Sequence, residues 1–300
     1  MTALTIGNFD GVHEGHRHLL HRVIELAKER DLTPAVLTFD PHPTKVVAPD
    51  RAPRLLSTID ERLSLIHREG VTDVTVLPFT KALAMLFPHE FVEQIVVNQL
   101  HAGLVLVGSN FHFGYKKSGD VKTLAELGDR YGFETHIVPA VHKRGRVVSS
   151  STIRRLIDEG SVAMAGRLLA RPYALTGEVV SGHGIGRAQT VPTLNLRTAA
   201  EVIPARGVYI TRTRDLDSNA AWNSITNVGV RPTFGGGDLS IETFLLSQFD
   251  GAAPARISVE FLRRVREERT FGSPEALKTQ IMKDAGRAQA FFRRLRAGLH

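Results

Sequence analysis

The chain has no cysteine and few aromatic residues, with one tryptophan and four tyrosines among 300 residues. The absence of cysteine excludes a disulfide framework, a thiol nucleophile and a cysteine-based zinc site. No apolar run is long enough to span a bilayer, and no hydrophobic leader segment precedes the first predicted strand. We therefore expect a cytoplasmic protein with no membrane partner.

The net charge is positive, because 38 lysines and arginines exceed 31 aspartates and glutamates to give +7 at pH 7. The arginines are spread along the chain, without the basic run that is typical of a nucleic-acid-binding arm. Anionic nucleotides or a solvated basic face explain the charge equally well, so we expect no nucleic-acid partner. Hydrophobic residues make up 42% of the chain, which is ample for packed cores, and 300 residues favour two domains.

A short apolar strand, a glycine-rich turn and a helix open the chain. The strand is predicted to end at Ile6, and apolar residues at helical spacing predict a helix that starts near Gly15. The turn reads Gly7-Asn-Phe-Asp-Gly-Val-His-Glu-Gly-His16. His13 and His16 can both face a phosphate chain bound at the N–H groups of the helix N-terminus. For a bare H-x-G-H, two incidental surface histidines are an equally good interpretation.

Two further loops follow predicted buried strands. In open α/β sheets ligands bind beyond the carboxyl ends of the strands, which is where these loops belong. The strand Pro34 to Phe39 runs into Asp40-Pro-His-Pro43, whose His42 is as compatible with a plain loop as with a ligand. The strand Leu104 to Gly108 runs into Ser-Asn-Phe-His-Phe-Gly114, whose phenylalanines could stack on a flat ring, although core packing is commoner.

A second pattern suited to phosphate is Ser149-Ser-Ser-Thr-Ile-Arg154, at the predicted start of a later helix. The hydroxyls can cap the helix and donate to phosphate oxygens, and Arg154 can clamp phosphate with its planar guanidinium. Capping alone is the alternative. The helical part ends near Leu169, and we place the domain boundary at Arg171, which gives domains 1–170 and 171–300.

The sequence pattern changes from helical to β-type from Leu175 onward. Short alternating β runs between Gly, Pro, Asn and Asp turns predict a compact antiparallel barrel, followed by a last helix. The glycine cluster from Gly177 to Arg187 lacks the ending of a P-loop, so the glycines alone favour a flexible hairpin. Within the apolar strand Ile241 to Leu246, Glu242 is the one acidic residue. Phosphoryl transfer to a hydroxyl needs such a group, although an outward-facing strand glutamate is the default interpretation.

Taken together, these motifs resemble those of the bacterial bifunctional riboflavin kinase/FMN adenylyltransferases, a branch of the HxGH nucleotidylyltransferases. The motifs are G-N-F-D-G-V-H-x-G-H, then S-S-T-x-x-R, then G-x-V-x-x-G-x-x-x-G-R with P-T-x-N, and they stand in the family's order over nearly the whole chain. The resemblance implies an N-terminal α/β domain with a Rossmann-like parallel sheet. It also implies a C-terminal antiparallel β-barrel of the riboflavin kinase type with a terminal helix.

The same resemblance implies two reactions. Riboflavin would be phosphorylated by ATP to FMN, and FMN would be adenylylated by a second ATP to FAD and pyrophosphate, with Mg²⁺ at both sites. Glu242 would be the base of the kinase, and His13, His16 and Arg154 would act in adenylyl transfer. The N-terminal residues implied to bind flavin or nucleotide are Gly7, Asn8, Phe9, Asp10, Gly11, Asp40, His42, Asn110, Phe111, Phe113, Gly114, Ser150, Ser151 and Thr152. In the C-terminal domain, the residues implied are Gly182, Gly186 and Arg187 in a phosphate flap, Thr193 and Asn195 on Mg²⁺-ATP, and Arg266 in a flavin-covering segment.

Three stretches depart from the family pattern. Residues 188–191 replace a Leu-Gly-Phe-like spacer, Ser247 replaces a customary aspartate, and residues 252–255 replace a Tyr-Gly. These departures keep open an FMN adenylyltransferase whose barrel binds flavin without kinase activity. Two more alternatives are a non-catalytic module that binds RNA or flavin, and nucleotidyl transfer to another phosphate acceptor. The sequence leaves the oligomeric state open.

Overall fold

The computed structural model describes residues 1–180, 193–231, 238–247 and 253–297. Gly182, Gly186 and Arg187, which the sequence predicts in a phosphate flap, lie outside the described residues, as do positions 188–191 and Ala252. The chain divides into two compact units, residues 1–152 and 153–300. The boundary predicted at Arg171 stays a prediction.

A five-stranded sheet forms the centre of the first unit, with all strands parallel in the order β3-β2-β1-β4-β5. The strands are β1 Thr2–Ile6, β2 Thr33–Asp40, β3 Asp73–Pro78, β4 Ala102–Gly108 and β5 Glu134–Val138. The strand order reverses direction between β1 and β4. In such sheets the crevice for a ligand opens beyond the carboxyl ends of those two strands. The turn after Ile6 and the loop after Gly108 both lie there.

Helices connect the parallel strands, as crossover connections require. They are α1 Glu14–Glu29, α2 Pro43–Val47, α3 Ile59–Arg68, α4 Lys81–Met85, α5 Pro88–Phe91 and α6 Val121–Tyr131. A π-helix, Val92–Gln99, continues α5, and short 3₁₀ turns occupy Pro49–Arg51 and Tyr115–Lys117. A small hairpin of β6 His142–Lys143 and β7 Arg146–Val147 follows β5.

Apolar side chains cover both faces of this sheet. One core contains Leu20 and Val23 of α1 with Ile66 of α3. The other core contains Phe91 and Leu124. Because helices bury the strands on both sides, the strands are almost continuously apolar instead of alternating. This arrangement confirms the predicted α/β architecture.

The second unit contains a closed six-stranded barrel in the order β10-β11-β12-β9-β8-β13, with antiparallel pairing. The strands are β8 Tyr173–Val180, β9 Thr193–Arg197, β10 Gly207–Asp215, β11 Ala221–Arg231, β12 Asp238–Leu245 and β13 Arg256–Arg266. Helices α7 Ser150–Asp158 and α8 Val162–Leu169 come before the barrel, and α9 Pro274–Ala297 comes after it. Ala288 and Phe292 of α9 pack against Val208, Ile210 and Ile225 on the outside of the barrel. The predicted antiparallel barrel with a terminal helix is confirmed.

Hydroxyl groups fill part of the barrel interior. Thr211, Thr213, Ser224, Thr226 and Thr243 are all fully buried. Their side chains form a continuous chain of hydrogen bonds of 2.8–2.9 Å across β10, β11 and β12. Each buried hydroxyl is therefore satisfied by another, which removes the penalty for burying it.

Two glycines of the second unit give opposite predictions for stability. An alanine methyl at Gly177 in β8 would overlap the carbonyl oxygen of Arg197 in β9, whereas nothing lies within 4 Å of the same methyl at Gly286 in α9. We expect Gly177→Ala to lower the free energy of unfolding by about 1–3 kcal/mol, because the strands must separate. We expect Gly286→Ala to raise it by roughly 0.5–1 kcal/mol, through helix propensity. Urea titration followed by the fluorescence of Trp222, the only tryptophan, tests both, and shifts of equal sign would contradict the clash.

Candidate active sites

His13 begins helix α1 as its N-cap residue. Its ring is 6% exposed, and its Nδ1 accepts a hydrogen bond of 3.2 Å from the backbone N of His16. A neutral imidazole that accepts on Nδ1 carries its proton on Nε2, which is then a donor. The capping bond therefore sets both the start of the helix and the tautomer of His13.

The rings of His13 and His16 are stacked, with centroids 3.6 Å apart and planes inclined by 12°. Phe9 supports His16 from behind at a centroid distance of 5.0 Å. Gly15 keeps this arrangement possible, since a Cβ there would lie 3.3 Å from two atoms of the His13 ring. Two imidazoles thus form one platform at the helix end where the dipole favours anions.

The loop before this platform holds strained backbone. Phe9 and Val12 have positive φ angles of 48° and 36°. A β-branched residue such as Val12 rarely adopts this conformation, which costs on the order of 1–3 kcal/mol. Contacts with the surrounding residues must therefore hold the loop in this conformation.

Asp10 supplies those contacts from within the loop. Its side chain is only 2% exposed, and Oδ1 accepts hydrogen bonds from the backbone N of Leu56 at 2.9 Å and of Ser57 at 3.2 Å. In return, the Ser57 hydroxyl accepts a bond of 3.1 Å from the backbone N of Gly11. In the structure, the buried Asp10 carboxylate therefore connects this loop to residues 56 and 57. The binding role expected of Asp10 stays a prediction.

The phosphate-type motif that begins at Ser149 contacts this loop through a hydrogen bond. The Ser150 hydroxyl donates a hydrogen bond of 2.9 Å to the carbonyl oxygen of Asp10. The Ser149 hydroxyl accepts from the backbone N of Thr152 at 3.2 Å, so the capping role falls on Ser149, while Ser151 is exposed. Asp10 and Ser150 are 140 residues apart in the chain, and the hydrogen bond between them joins their two motifs in the first unit. Arg154 follows on α7 in the second unit, and its approach to His13 stays a prediction.

The loop after β2 is fixed by a residue that sequence analysis missed. Arg62 of α3 is 1% exposed, and its Nη1 donates a hydrogen bond of 3.1 Å to the carbonyl oxygen of Phe39. Burial lowers the pKa of Arg62, and the charges of Asp10 and Asp40 oppose that shift. No sequence signal identified Arg62, because it looks like an ordinary exposed position of a helix. Beyond it, Asp40 is exposed, and His42 caps α2 by accepting from the backbone N of Thr44 at 3.2 Å.

The loop after β4 combines a core anchor with exposed groups. Phe113 is 7% exposed and packs in the core beside Phe91, and Phe111 stacks on it at a centroid distance of 5.4 Å. Asn110 is exposed on the same loop. Gly114 has a φ of 74°, and a Cβ there would lie 2.8 Å from Pro88. Core packing accounts for Phe113, and flavin or nucleotide contacts of this loop stay predictions.

A second cluster of predicted residues lies on the barrel. Glu242 of β12 pairs directly with Asn195 of β9 on one side and with Asn227 of β11 on the other. Thr193 precedes Asn195 by two residues, so both side chains lie on one face of β9. Glu242 lies on the same face of the neighbouring strand β12, because it pairs directly with Asn195. The intervening Leu194 is buried, which places this face outside the barrel. The structure therefore brings all three predicted kinase residues together.

Two further side chains, from Ser240 and Glu268, complete this cluster. The Ser240 hydroxyl donates a hydrogen bond of 2.8 Å to Oε1 of Glu242. Gly229 of β11 pairs with Ser240, and its missing side chain leaves the space that the Glu268 carboxylate occupies. The Ser240 contact is local, since the two residues alternate along one strand, although no sequence pattern singled it out. The Glu268 contact is not local, because it depends on the chain returning from the end of β13 to β11.

Comparisons with known proteins bear on both sites. Residues 1–152 match the family model of FAD synthetase, and residues 169–292 match that of riboflavin kinase. The bifunctional riboflavin kinase/FMN adenylyltransferase of Escherichia coli K12 is 34% identical over 96% of this chain and 92% of its own length. The protein of the same name from Pseudomonas fluorescens is 36% identical over 95% of this chain and 91% of its own length. This chain belongs to the bifunctional riboflavin kinase/FMN adenylyltransferase family.

A solved structure shares the fold of this family member. It is described as a macrolide-efflux protein from Streptococcus pneumoniae, is 27% identical, and covers 96% of this chain and 94% of its own with a TM-score of 0.86. Among the described residues, no helix is long and apolar enough to cross a membrane.

Arg266, predicted in the family's flavin-covering segment, is tied to the last helix. Its Nε lies 2.8 Å from Oδ2 of Asp284, and the two side chains are 11% and 2% exposed. The guanidinium also lies 5.7 Å from the ring centroid of Phe271. Arg266 thus fastens α9 to the end of β13, and a direct flavin contact stays a prediction.

Of the departures from the family pattern, Ser247 is exposed just after β12 and leaves the Glu242–Asn195 pair intact.

Proposed function

We propose that this chain converts riboflavin and ATP to FMN and ADP, and then FMN and a second ATP to FAD and pyrophosphate. The pairing of Glu242 with Asn195 across β12 and β9 carries the proposal. It brings the carboxylate to the same face of the barrel as Thr193 and Asn195, the two residues proposed to bind nucleotide. A barrel that only bound flavin would not require this arrangement.

In the kinase reaction, Glu242 orients the 5′-hydroxyl of riboflavin and accepts its proton. The hydroxyl oxygen then forms a bond to the γ-phosphorus of ATP while the bond from that phosphorus to the bridging oxygen breaks, and ADP leaves. Positioning and charge stabilisation supply most of the rate in such transfers. Thr193 and Asn195 hold the nucleotide on the same face.

Magnesium is proposed with the ATP at this site. The hydroxyl of Thr193 and the amide oxygen of Asn195 are the hard oxygen ligands that Mg²⁺ accepts. Within the described ranges, no group of three or more His, Asp or Glu side chains could hold a metal, so phosphate oxygens and water would supply the other ligands. When bound, Mg²⁺ offsets the negative charge of the phosphates.

In the adenylyl transfer, a phosphate oxygen of FMN attacks the α-phosphorus of ATP, and the bond to the pyrophosphate breaks. The stacked rings of His13 and His16 and the N-terminus of α1 stabilise the charge that moves onto the leaving group. Ser151 and Arg154 are proposed to hold the outer phosphates. No covalent intermediate with the protein is needed, because holding both reactants in line supplies the catalysis.

Incubation of the full chain with riboflavin and Mg²⁺-ATP tests the proposal. FMN is expected first and FAD later, with one ADP per FMN and one pyrophosphate per FAD. A parallel reaction that starts from FMN isolates the second step. FAD formation from FMN without any FMN formation from riboflavin would overturn the kinase half and leave the single-activity adenylyltransferase. No product from either substrate would overturn both halves.

A further inference from the structure

Ser240 is a buried polar residue beside the candidate base of the kinase. It is 5% exposed and lies two residues before Glu242 on β12, so both side chains share the outer face of the strand. Its hydroxyl donates to Oε1 of Glu242 at 2.8 Å and makes no other hydrogen bond with the described residues. The contact of this serine is therefore directed at one carboxylate oxygen.

The barrel itself does not explain this hydrogen bond. The other buried hydroxyls of β10, β11 and β12 point inward and bond to one another, as Ser224 does with Thr211 and Thr213. Ser240 points outward, and its partner across β11 is Gly229, which has no side chain to pack against it. Serine is also a weak strand former compared with β-branched residues. The position is better explained by what the hydroxyl does to Glu242.

We propose that Ser240 is a positioning residue for phosphoryl transfer, whose hydroxyl holds Oε1 of Glu242 so that Oε2 faces the riboflavin hydroxyl. The proposal rests on the proposed function of Glu242. A glutamate side chain has three rotatable bonds, and a hydrogen bond to one carboxylate oxygen reduces the number of orientations that it samples. Fixing one oxygen raises the fraction of the enzyme in which the other oxygen is aligned with the reacting hydroxyl.

The test compares Ser240→Ala, Ser240→Thr and wild type in the full chain. We expect Ser240→Ala to lower kcat for FMN formation by roughly 10–100-fold, as expected when a hydrogen bond to a charged group is lost. The KM values for riboflavin and Mg²⁺-ATP should stay within about twofold, because Ser240 is not expected to touch either substrate. Ser240→Thr keeps the hydroxyl and should recover most of kcat, and FAD formation from FMN should be unchanged in both variants.

Ser224→Ala is the matched control, because it removes a fully buried hydroxyl from the same barrel on the face away from Glu242. It should lower the midpoint of urea unfolding without a comparable loss of kcat. A Ser240→Ala enzyme with kcat near that of wild type overturns the inference, and so does a Ser240→Thr enzyme as slow as Ser240→Ala. A wild-type enzyme that forms no FMN overturns the proposed kinase function instead, so the two failures are distinguishable.

Discussion

Glu242→Gln is expected to slow FMN formation from riboflavin by about 10²–10⁴-fold, the usual contribution of a general base. Glutamine has nearly the same shape and can still accept the hydrogen bond from Ser240, but it cannot take the proton of the 5′-hydroxyl. The pairing of β12 with β9 and β11 should survive, because backbone groups make it. Steady-state formation of FMN, followed by separation of the flavins, measures the effect.

The second half-reaction is the internal control for Glu242→Gln. Glu242 lies in the barrel, whereas His13 and His16 lie in the α/β unit. FAD formation from supplied FMN should therefore remain within about twofold of wild type, as expected for a change that leaves that site untouched. A variant that still makes FMN at the wild-type rate would show that Glu242 is not the base.

His13→Asn is expected to slow FAD formation from FMN by roughly 10²–10³-fold, the cost typical of removing one preorganised group that stabilises transition-state charge. Asparagine is among the best N-cap residues, so the start of α1 should be preserved. The loss would then report on the imidazole and on its stacking with His16, rather than on the fold. Pyrophosphate release in the presence of FMN and Mg²⁺-ATP measures it.

His13→Ala separates the cap from the chemistry. It removes both the imidazole and the cap, so it should also destabilise the protein by about 1 kcal/mol. Both variants should phosphorylate riboflavin at the wild-type rate. An asparagine variant with wild-type adenylyl transfer would remove His13 from the proposed mechanism, whatever its stability.

The secondary structure that the sequence predicted best has strong local signals. The helix predicted to start near Gly15 begins at Glu14, and the predicted buried strand before Gly108 pairs with β1 inside the sheet. The helices Pro43–Val47 and Lys81–Met85 and the hairpin of β6 and β7 were not predicted, because elements this short contain too few residues for a periodic pattern.

The residues of the candidate sites also fall into those that local motifs predict and those that they do not. The residues of both nucleotide signatures could be named from the sequence, since each motif lies within about a dozen consecutive positions. Arg62 and Asn227 could not, because their contacts are with other parts of the chain. Asp10 shows the difference most clearly, because its carboxylate binds backbone groups 46 and 47 residues away.

The amino-acid sequence by itself determined the two architectures and the family, because strand and helix periodicity, glycine turns and contiguous motifs are properties of short segments. Only the tertiary structure decided which of the predicted residues meet. Closure of the barrel sets the register that places Glu242 opposite Asn195, and the fold of the first unit brings Ser150 to Asp10. Register and packing depend on the summed contacts of the whole fold, and no single segment encodes them.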